Sequence, residues 1–403
     1  MAKILISSLG TGEKKDGNYK TAKYKINNNI YTTSFVADAL MKELTIEKLF
    51  LVGTRKSIWD EAYNSFASED NENIEYYEDL YTKKESGEII SKDLEEFDKV
   101  LPKNSKSFII DYGINEDELW SNFEKFLSIA EYIEDGDELY LDITHSFRSL
   151  SLMSFVMTQF ASSISDKNFK ISGVYYGMFE YSFESTDKIT PIVDIKILLE
   201  IQEWIKAIDA IKNYSDFNSL IRLLDDNHIE KDVQNTFINL NNNISLANIA
   251  SLRQFIQTAA KKIKTINSSE NRIVKLLAPE VLKLVEELEQ DKESDFQYTL
   301  AKWFYKNKNY ALSYIALYEA IITKSCELSN KDIFNHEERE DAKKSIGNDK
   351  YGKYFYTKHN DSISQIRNSI VHQSSDRKSQ VSNDIKKLEI FIKTFEEYFN
   401  IGK

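Results

Sequence analysis

Five short apolar runs in the first half of the chain constrain its fold more than any other feature. Each run ends at a glycine or a small polar residue, which is typical of short β-strands. Helical stretches lie between several of them, at 30–44, 116–133 and 149–164. Strands that alternate with helices predict an α/β domain whose parallel sheet is covered on both faces. The runs are 4–6, 49–52, 108–110, 139–143 and 174–176.

The pattern changes at about residue 194, where apolar residues begin to recur at three- and four-residue spacing and no convincing strand follows. The second half is therefore predicted to be all-α. Within it, the Asn-rich stretch 235–248 and the polar stretch 268–271 predict turns or helix starts. In the first half, the charged segment 70–99 predicts a peripheral, partly helical insertion. The helical stretches are 195–224, 273–288, 298–304, 310–328 and 385–399.

Composition and charge exclude several classes of protein. The chain has 403 residues, of which 41% are hydrophobic, too many for a disordered chain. Its one cysteine, Cys326, cannot form an intrachain disulfide, and the first apolar run is too short for a signal peptide, so we expect a cytoplasmic protein. No apolar run is long enough to cross a membrane. The net charge of −13 argues against a coat for duplex nucleic acid, although it leaves room for a small phosphate site.

Ligands in α/β folds bind beyond the carboxyl ends of the strands, and two polar sequences of this chain lie there. The first, Gly10-Thr11-Gly12, follows the first strand. It lacks the third glycine of a dinucleotide-binding fingerprint, because Lys15 stands at that position, and an ordinary turn is the alternative.

The second polar sequence, from Asp142 to Arg148, joins a buried strand to a helix. Thr144 could cap this helix, and its first amides would favour an anion. His145 and Arg148 are predicted to lie in the first turn, where both could bind a phosphate. Asp142 is a plausible orienting group for either. The alternative is a capped helix with an exposed arginine.

A further candidate site lies near the C-terminus, where Arg367 and His372 are five residues apart. On a continuous helix their side chains would point about 140° apart, so the helix must end near His372 for both to face one phosphate. Asn368 lies four residues before His372 and could share its face. Glu319 lies on the apolar stripe of an upstream helix, and we expect it to pair with or orient Arg367.

An arginine and a histidine suit RNA cleavage by the 2′-hydroxyl of the RNA itself. Histidine transfers protons near neutral pH, and arginine stabilises the charge that builds on phosphorus. The region shows no carboxylate cluster or Cys/His pattern that predicts a metal site. By itself the spacing is common, and the alternative is an arginine that pairs with a carboxylate at a helix end.

The first half of the chain resembles a CARF domain, the CRISPR-associated Rossmann fold of type III CRISPR ancillary proteins. The resemblance rests on the strand ending Ser-Leu-Gly-Thr-Gly, on Tyr19 and Tyr24, and on Asp-x-Thr-His-x-x-Arg. It implies a Rossmann-like sensor domain at 1–190 that dimerises and binds cyclic oligoadenylate. Ser146 stands where the family often has glycine. The implied ligand residues are Gly10, Thr11 and Gly12 in one loop and Thr144, His145 and Arg148 in another.

The sequence Ile-Arg-Asn-Ser-Ile-Val-His resembles the signature of HEPN nucleases, and implies a HEPN domain at 291–403 after a helical connector at 191–290. Together the two resemblances imply an endoribonuclease of single-stranded RNA that cyclic oligoadenylate activates. The activator expected on family grounds is cyclic tetra-adenylate, with no cofactor or metal. Arg367, His372 and Asn368 would form the catalytic site where two subunits meet, in a homodimer or higher homo-oligomer.

Two other functions are compatible with these features. In one, the sensor domain itself cleaves the cyclic oligoadenylate, with His145 or Thr11 involved. In the other, the chain is a non-enzymatic regulator that binds DNA under control of the ligand. No basic recognition helix follows the sensor domain, so we expect no stable DNA binding.

Overall fold

The chain divides into two units, Met1–Leu198 and Leu199–Lys403, close to the predicted change of pattern. A computed structural model describes residues 1–67, 73–145, 148–266, 272–356, 361–372 and 380–399. Among the described residues, none of the helices is long and apolar enough to span a bilayer. The bounds of the three domains proposed from the sequence stay predictions.

The N-terminal unit is built on a sheet of eight strands with helices packed against it, and a separate two-stranded hairpin. Its helices are α1 (Val36–Leu44), α2 (Trp59–Phe66), α3 (Ile74–Ser86), α4 (Glu95–Val100), α5 (Glu116–Ile129), α6 (Arg148–Ile164) and α7 (Tyr181–Glu184). Its strands are β1 (Lys3–Leu9), β2 (Lys14–Lys15), β3 (Asn18–Tyr19), β4 (Ala22–Ile26), β5 (Asn29–Thr33), β6 (Lys48–Gly53), β7 (Lys106–Ile109), β8 (Glu138–Asp142), β9 (Lys170–Gly177) and β10 (Ile189–Asp194).

The five predicted strands form the parallel centre of the eight-stranded sheet, in the order β9-β8-β1-β6-β7. They are continuous apolar runs because both faces of a parallel sheet are covered. Ile4, Leu5 and Leu49, for example, are fully buried. Since β1, β6 and β8 run in the same direction, their carboxyl ends meet at one edge, as the site predictions require.

Three strands at one side of this sheet extend it beyond the prediction. Strand β10 pairs antiparallel with β9, β4 pairs parallel with β10, and β5 pairs antiparallel with β4. The prediction of a helix over 30–44 is therefore wrong in its first part. Residues 30–33 are Ile-Tyr-Thr-Thr, which favour a strand, and Asn27 at a φ of 52° makes the turn that returns this strand to β4.

The segment 70–99 is helical as predicted, but it is not peripheral. Leu80 of α3 and Phe97 of α4 are fully buried in the core of the N-terminal unit. A second correction concerns the Asn-rich stretch 235–248, most of which lies in α10 (Lys231–Ser245), while its end forms a turn before the next helix. Its Phe237 and Leu240 are buried, and this packing outweighs the low helix propensity of asparagine. The predicted turn at 268–271 lies outside the described residues.

The described residues of the second unit form helices only. One apolar core extends from Trp204 to Phe399, and Cys326 is fully buried in it. The central helix, α14 (Tyr310–Leu328), is buried along most of its length, which agrees with its largely apolar sequence. The helices are α8 (Ile197–Tyr214), α9 (Asn218–Asp226), α10, α11 (Ile249–Ile266), α12 (Arg272–Glu287), α13 (Glu293–Lys306), α14 (Tyr310–Leu328), α15 (His336–Ile346), α16 (Gly352–Phe355), α17 (Ile363–His372) and α18 (Val381–Phe399).

Candidate functional site

Two loops meet at the carboxyl edge of the parallel sheet, as the sequence predicts. Gly10 follows β1 and His145 follows β8. A Cβ atom placed on Gly10 would lie only 3.3 Å from the Cβ atom of His145. The backbone of the first loop therefore passes directly beside the His145 side chain.

Asp142 organises the second loop from beneath. Its carboxylate is fully buried and accepts hydrogen bonds from the Ser7 hydroxyl at 2.5 Å and from the Thr144 amide at 2.9 Å. Ser7 lies opposite Asp142 in the pairing of β1 with β8. Burial raises the pKa of the Asp142 carboxyl, although these donors and His145 oppose the effect. Asp142 therefore holds the backbone that carries His145.

One detail of the second loop differs from the prediction. The described part of α6 begins at Arg148, and His145 lies in a bend before it instead of in the first turn of the helix. The Thr144 oxygen accepts a hydrogen bond of 2.8 Å from the Gly177 amide, and the amides of residues 146 and 147, which it was predicted to cap, lie outside the described residues. This bond ties the loop to the end of β9. The side chain of Arg148 lies outside the described part of the structure.

The His145 imidazole lies in the wall of the site beside Tyr24. Its Nε2 lies 3.2 Å from the Tyr24 hydroxyl, and the two rings meet edge to face. Burial lowers the pKa of His145, against the opposing influence of the Asp142 carboxylate. A neutral imidazole can donate one hydrogen bond and accept another, but it supplies no positive charge.

Two adjoining clefts open at this edge, of about 350 Å³ and about 560 Å³. Both are lined by Gly10, Gly12, Thr144 and His145, and Thr11 lines the smaller one. The structure thus brings five of the six predicted ligand residues together. The larger cleft adds residues that the sequence analysis did not select, among them Lys15, Lys20, Tyr176 and Phe179. No sequence signal separates these lysines from solvated ones.

Gly12 is required by the close approach of two side chains to its backbone. Its φ of +66° is in the left-handed region, and a Cβ atom there would lie 2.6 Å from Ile58 Cγ2 and 2.9 Å from Tyr19 Cδ1. Tyr19 is fixed in turn, because its hydroxyl donates to the buried Asp60 carboxylate and accepts a 2.8 Å hydrogen bond from Lys84. The wall of the larger cleft is therefore anchored on α2 and α3.

The second candidate site lies on α17 in the helical unit. The Arg367 guanidinium lies 4.8 Å from the centre of the Tyr318 ring, and its Nη1 donates to Asn368 Oδ1 at 3.1 Å. Its Nη2 lies 3.9 Å from Glu319 Oε1, so the predicted pair exists at the outer limit of ion-pair distance. His372 ends the described part of α17, and its side chain lies outside the description.

Glu319 has a closer partner that the sequence analysis missed. Arg339 Nη2 donates to Glu319 Oε2 at 2.6 Å, and Arg339 Nη1 donates to the Thr323 hydroxyl and to the Ile333 carbonyl. Arg339 lies in the charged run 336–341, which is indistinguishable in sequence from a solvated helix face. Its role is visible only once α14 and α15 are packed together.

Comparisons with known proteins agree with this fold. Residues 4–180 match the model of the CARF domain of the CRISPR system endoribonuclease Csx1. Residues 200–294 match the model of the second domain of the CRISPR-associated protein MJ1674. The N-terminal unit is therefore a CARF domain, and over both matched stretches the chain is similar to CRISPR-associated proteins.

Similarity to one relative extends over nearly the whole chain. The CRISPR-associated protein MJ1674 of Methanocaldococcus jannaschii is 33% identical over 419 residues, which cover 96% of this chain and 65% of that protein. The solved structure of Enterococcus italicus Csm6 bound to cyclic hexa-2′-fluoro-hexa-dAMP gives a TM-score of 0.39. It is 11% identical and covers 99% of this chain and 94% of that one. A similarity this low supports no further conclusion.

Proposed function

We propose that the chain is an endoribonuclease of type III CRISPR defence that cyclic oligoadenylate activates and that needs no metal ion. One observation carries the proposal. The same chain holds a CARF domain with an open, polar cleft and a helix that presents Arg367 beside Asn368, five residues before His372. The cleft would bind a nucleotide signal, and the helix supplies the groups that RNA cleavage requires.

The clefts of the CARF domain suit a cyclic oligoadenylate in shape and chemistry. Tyr176 and Phe179 line the larger cleft and offer aromatic surfaces to adenine bases. The backbone of the Gly10–Gly12 loop and the lysines 15 and 20 lie where phosphates would be held. On family grounds the activator is cyclic tetra-adenylate.

The proposed reaction is an in-line displacement at one RNA phosphate. His372 removes the proton of the 2′-hydroxyl, and the 2′-oxygen then forms a bond to phosphorus while the bond to the 5′-oxygen breaks. The leaving 5′-oxygen takes up a proton, so the products carry a 2′,3′-cyclic phosphate and a 5′-hydroxyl. Arg367 stabilises the negative charge that develops on the phosphoryl oxygens, and Asn368 positions Arg367 through their hydrogen bond.

A homodimer would complete the site, with Arg367 and His372 from each of two subunits. The CARF domain carries an apolar stripe that suits such an interface. Leu152, Val156, Phe160 and Ile164 recur every four residues along α6 and are 43–66% exposed. Helix α17 likewise exposes Ile370 and Val371 close to Arg367.

The test uses labelled single-stranded RNA with and without cyclic tetra- or hexa-adenylate, in the presence of EDTA. Wild-type protein should cleave only with activator, and His372→Ala and Arg367→Ala should each lose at least about a hundredfold in rate. His336→Ala and Arg222→Ala are matched controls, since both residues are exposed in the same unit. Cleavage that requires metal, or that persists in His372→Ala, contradicts the mechanism.

A second activity, cleavage of the activator by the CARF domain, is favoured by the position of His145 in the cleft wall, where burial lowers the pKa of its imidazole. A neutral imidazole can accept the proton of a ligand 2′-hydroxyl. The measurement is the fate of labelled cyclic tetra-adenylate with the His372→Ala protein, in which RNA cleavage is removed. An intact ring after prolonged incubation contradicts this activity.

A further inference from the structure

Glu319 interacts with two arginines, and its contact with one is much shorter than its contact with the other. Its Oε2 accepts a hydrogen bond of 2.6 Å from Arg339, whereas its Oε1 is 3.9 Å from Arg367. The first distance is that of a strong charge-assisted hydrogen bond. The second is too long for a hydrogen bond. Glu319 therefore neutralises Arg339 far more than Arg367.

Arg339 is held in place by two further hydrogen bonds, in addition to the one it makes with Glu319. The other terminal nitrogen of its guanidinium, Nη1, donates to the Thr323 hydroxyl at 3.0 Å and to the Ile333 carbonyl at 2.8 Å. Thr323 lies one helical turn after Glu319 on α14. These bonds hold the Arg339 guanidinium against α14, beside the Glu319 oxygen to which it donates.

Arg367 keeps its charge available as a result. It rests on the face of Tyr318, which stacks on Phe355 at 5.2 Å and is itself immobilised. An aromatic face attracts a cation without neutralising it. Within the described part of the chain, the buried Nε of Arg367 has no hydrogen-bond partner. Glu319 would need to move only about 1 Å closer to Arg367 to form a tight pair.

We propose that Arg339 is a positioning residue that holds Glu319 off Arg367 and so leaves Arg367 free to bind the RNA phosphate. The inference rests on the proposed function of Arg367. In this proposal Arg339 lies on a different helix from Arg367 and does not contact the substrate. Its charge determines how strongly Arg367 can bind the RNA phosphate. Without Arg339, the Glu319 carboxylate turns to Arg367 and competes with the phosphate.

The decisive experiment compares three variants in the activated RNA-cleavage assay. Arg339→Met should lower kcat about tenfold, because a neutralised Arg367 stabilises the transition state less. Glu319→Gln should lower kcat by about threefold or less. In the double variant Arg339→Met/Glu319→Gln no carboxylate is left to capture Arg367, so the rate should return to that of Glu319→Gln. A role of Arg339 in folding alone predicts that the double variant is as slow as Arg339→Met or slower.

A second readout does not depend on activity. The rate at which phenylglyoxal modifies Arg367, followed by mass spectrometry, should fall in Arg339→Met and recover in the double variant. Arg222→Met and Glu203→Gln are the matched controls, since they break an exposed Arg–Glu pair of 3.0 Å in the same unit. Equal kcat in wild type and Arg339→Met overturns the inference, as does an unchanged modification rate. A wild-type protein that cleaves no RNA contradicts the proposed function instead, and the modification rates still test the geometry.

Discussion

The clearest test of the CARF cleft is to add one methyl group at Gly12. The side chain of alanine at this position would place its Cβ atom 2.6 Å from Ile58 Cγ2 and 2.9 Å from Tyr19 Cδ1. Carbon atoms in ordinary contact are about 3.5–4.0 Å apart, so the loop or these side chains must shift by about 1 Å. The shift displaces the Tyr19 ring, which forms a wall of the larger cleft.

A neighbouring glycine separates this clash from backbone strain. Gly17 in the β2–β3 turn also has a left-handed φ, of +88°, but a Cβ atom there would meet no atom within 4 Å. The free energy of unfolding should fall by about 1–2 kcal/mol in both Gly12→Ala and Gly17→Ala, because alanine is strained in the left-handed region. In Gly12→Ala the free energy of unfolding should fall by about 1–3 kcal/mol more, because only this variant overpacks its surroundings.

The two quantities to measure are the free energy of unfolding in urea and the affinity for cyclic tetra- and hexa-adenylate by titration calorimetry. We expect Gly12→Ala to weaken activator binding at least about tenfold, a loss of about 1.4 kcal/mol, and Gly17→Ala to bind like wild type. Equal stability and equal affinity in the two variants would refute the argument that the close approach at Gly12 shapes the cleft.

Three further predictions concern the same unit. Tyr24→Phe removes the hydroxyl that lies 3.2 Å from His145 Nε2 and should weaken activator binding about three- to tenfold by calorimetry; unchanged binding would show that His145 needs no such partner. Burial lowers the pKa of His145 from 6.5, so the folded state binds fewer protons than the unfolded state below pH 6.5. Wild-type stability should therefore fall relative to His145→Gln as the pH drops below 6.5, and parallel unfolding curves would contradict this. Val156→Glu on the exposed stripe of α6 should convert a dimer to monomers in sedimentation experiments, whereas Glu124→Gln on α5 should not; a monomeric wild type would contradict the proposed interface.

The sequence was sufficient for those parts of the fold that depend on burial alone. The central strands are uninterrupted apolar runs, and the helix Tyr310–Leu328 has the bounds that its spacing predicts. Strands β4 and β5 were not predicted, because lysines alternate with the other residues of β4 and β5 returns to it after a two-residue turn. The Ile-Tyr-Thr-Thr of β5 favours a strand, but only the pairing of β4 with β10 shows that residues 22–33 extend the sheet.

The candidate sites divide in a similar way. Gly10, Thr144 and His145 could be selected because each follows a strand that the sequence reveals. The role of Arg339 could not be predicted from the sequence, since it depends on the packing of α15 against α14. The lowered pKa of His145 could not be predicted either, because it follows from the burial of the imidazole beside Tyr24. Position along the chain predicts which groups are near a site, whereas their charge depends on what surrounds them.

The hydrogen bonds that join Tyr19 to Asp60 and Lys84 have a consequence for the lifetime of the protein. Three separate segments of chain must be folded before this wall of the cleft exists. A ligand that binds the wall therefore binds the folded state alone, and at a hundred times its dissociation constant it stabilises that state by about 2.7 kcal/mol. Under the proposed function, proteases that attack the unfolded chain would remove the protein more slowly while the activator is present, so the concentration of activator would set both how active the molecules are and how many survive.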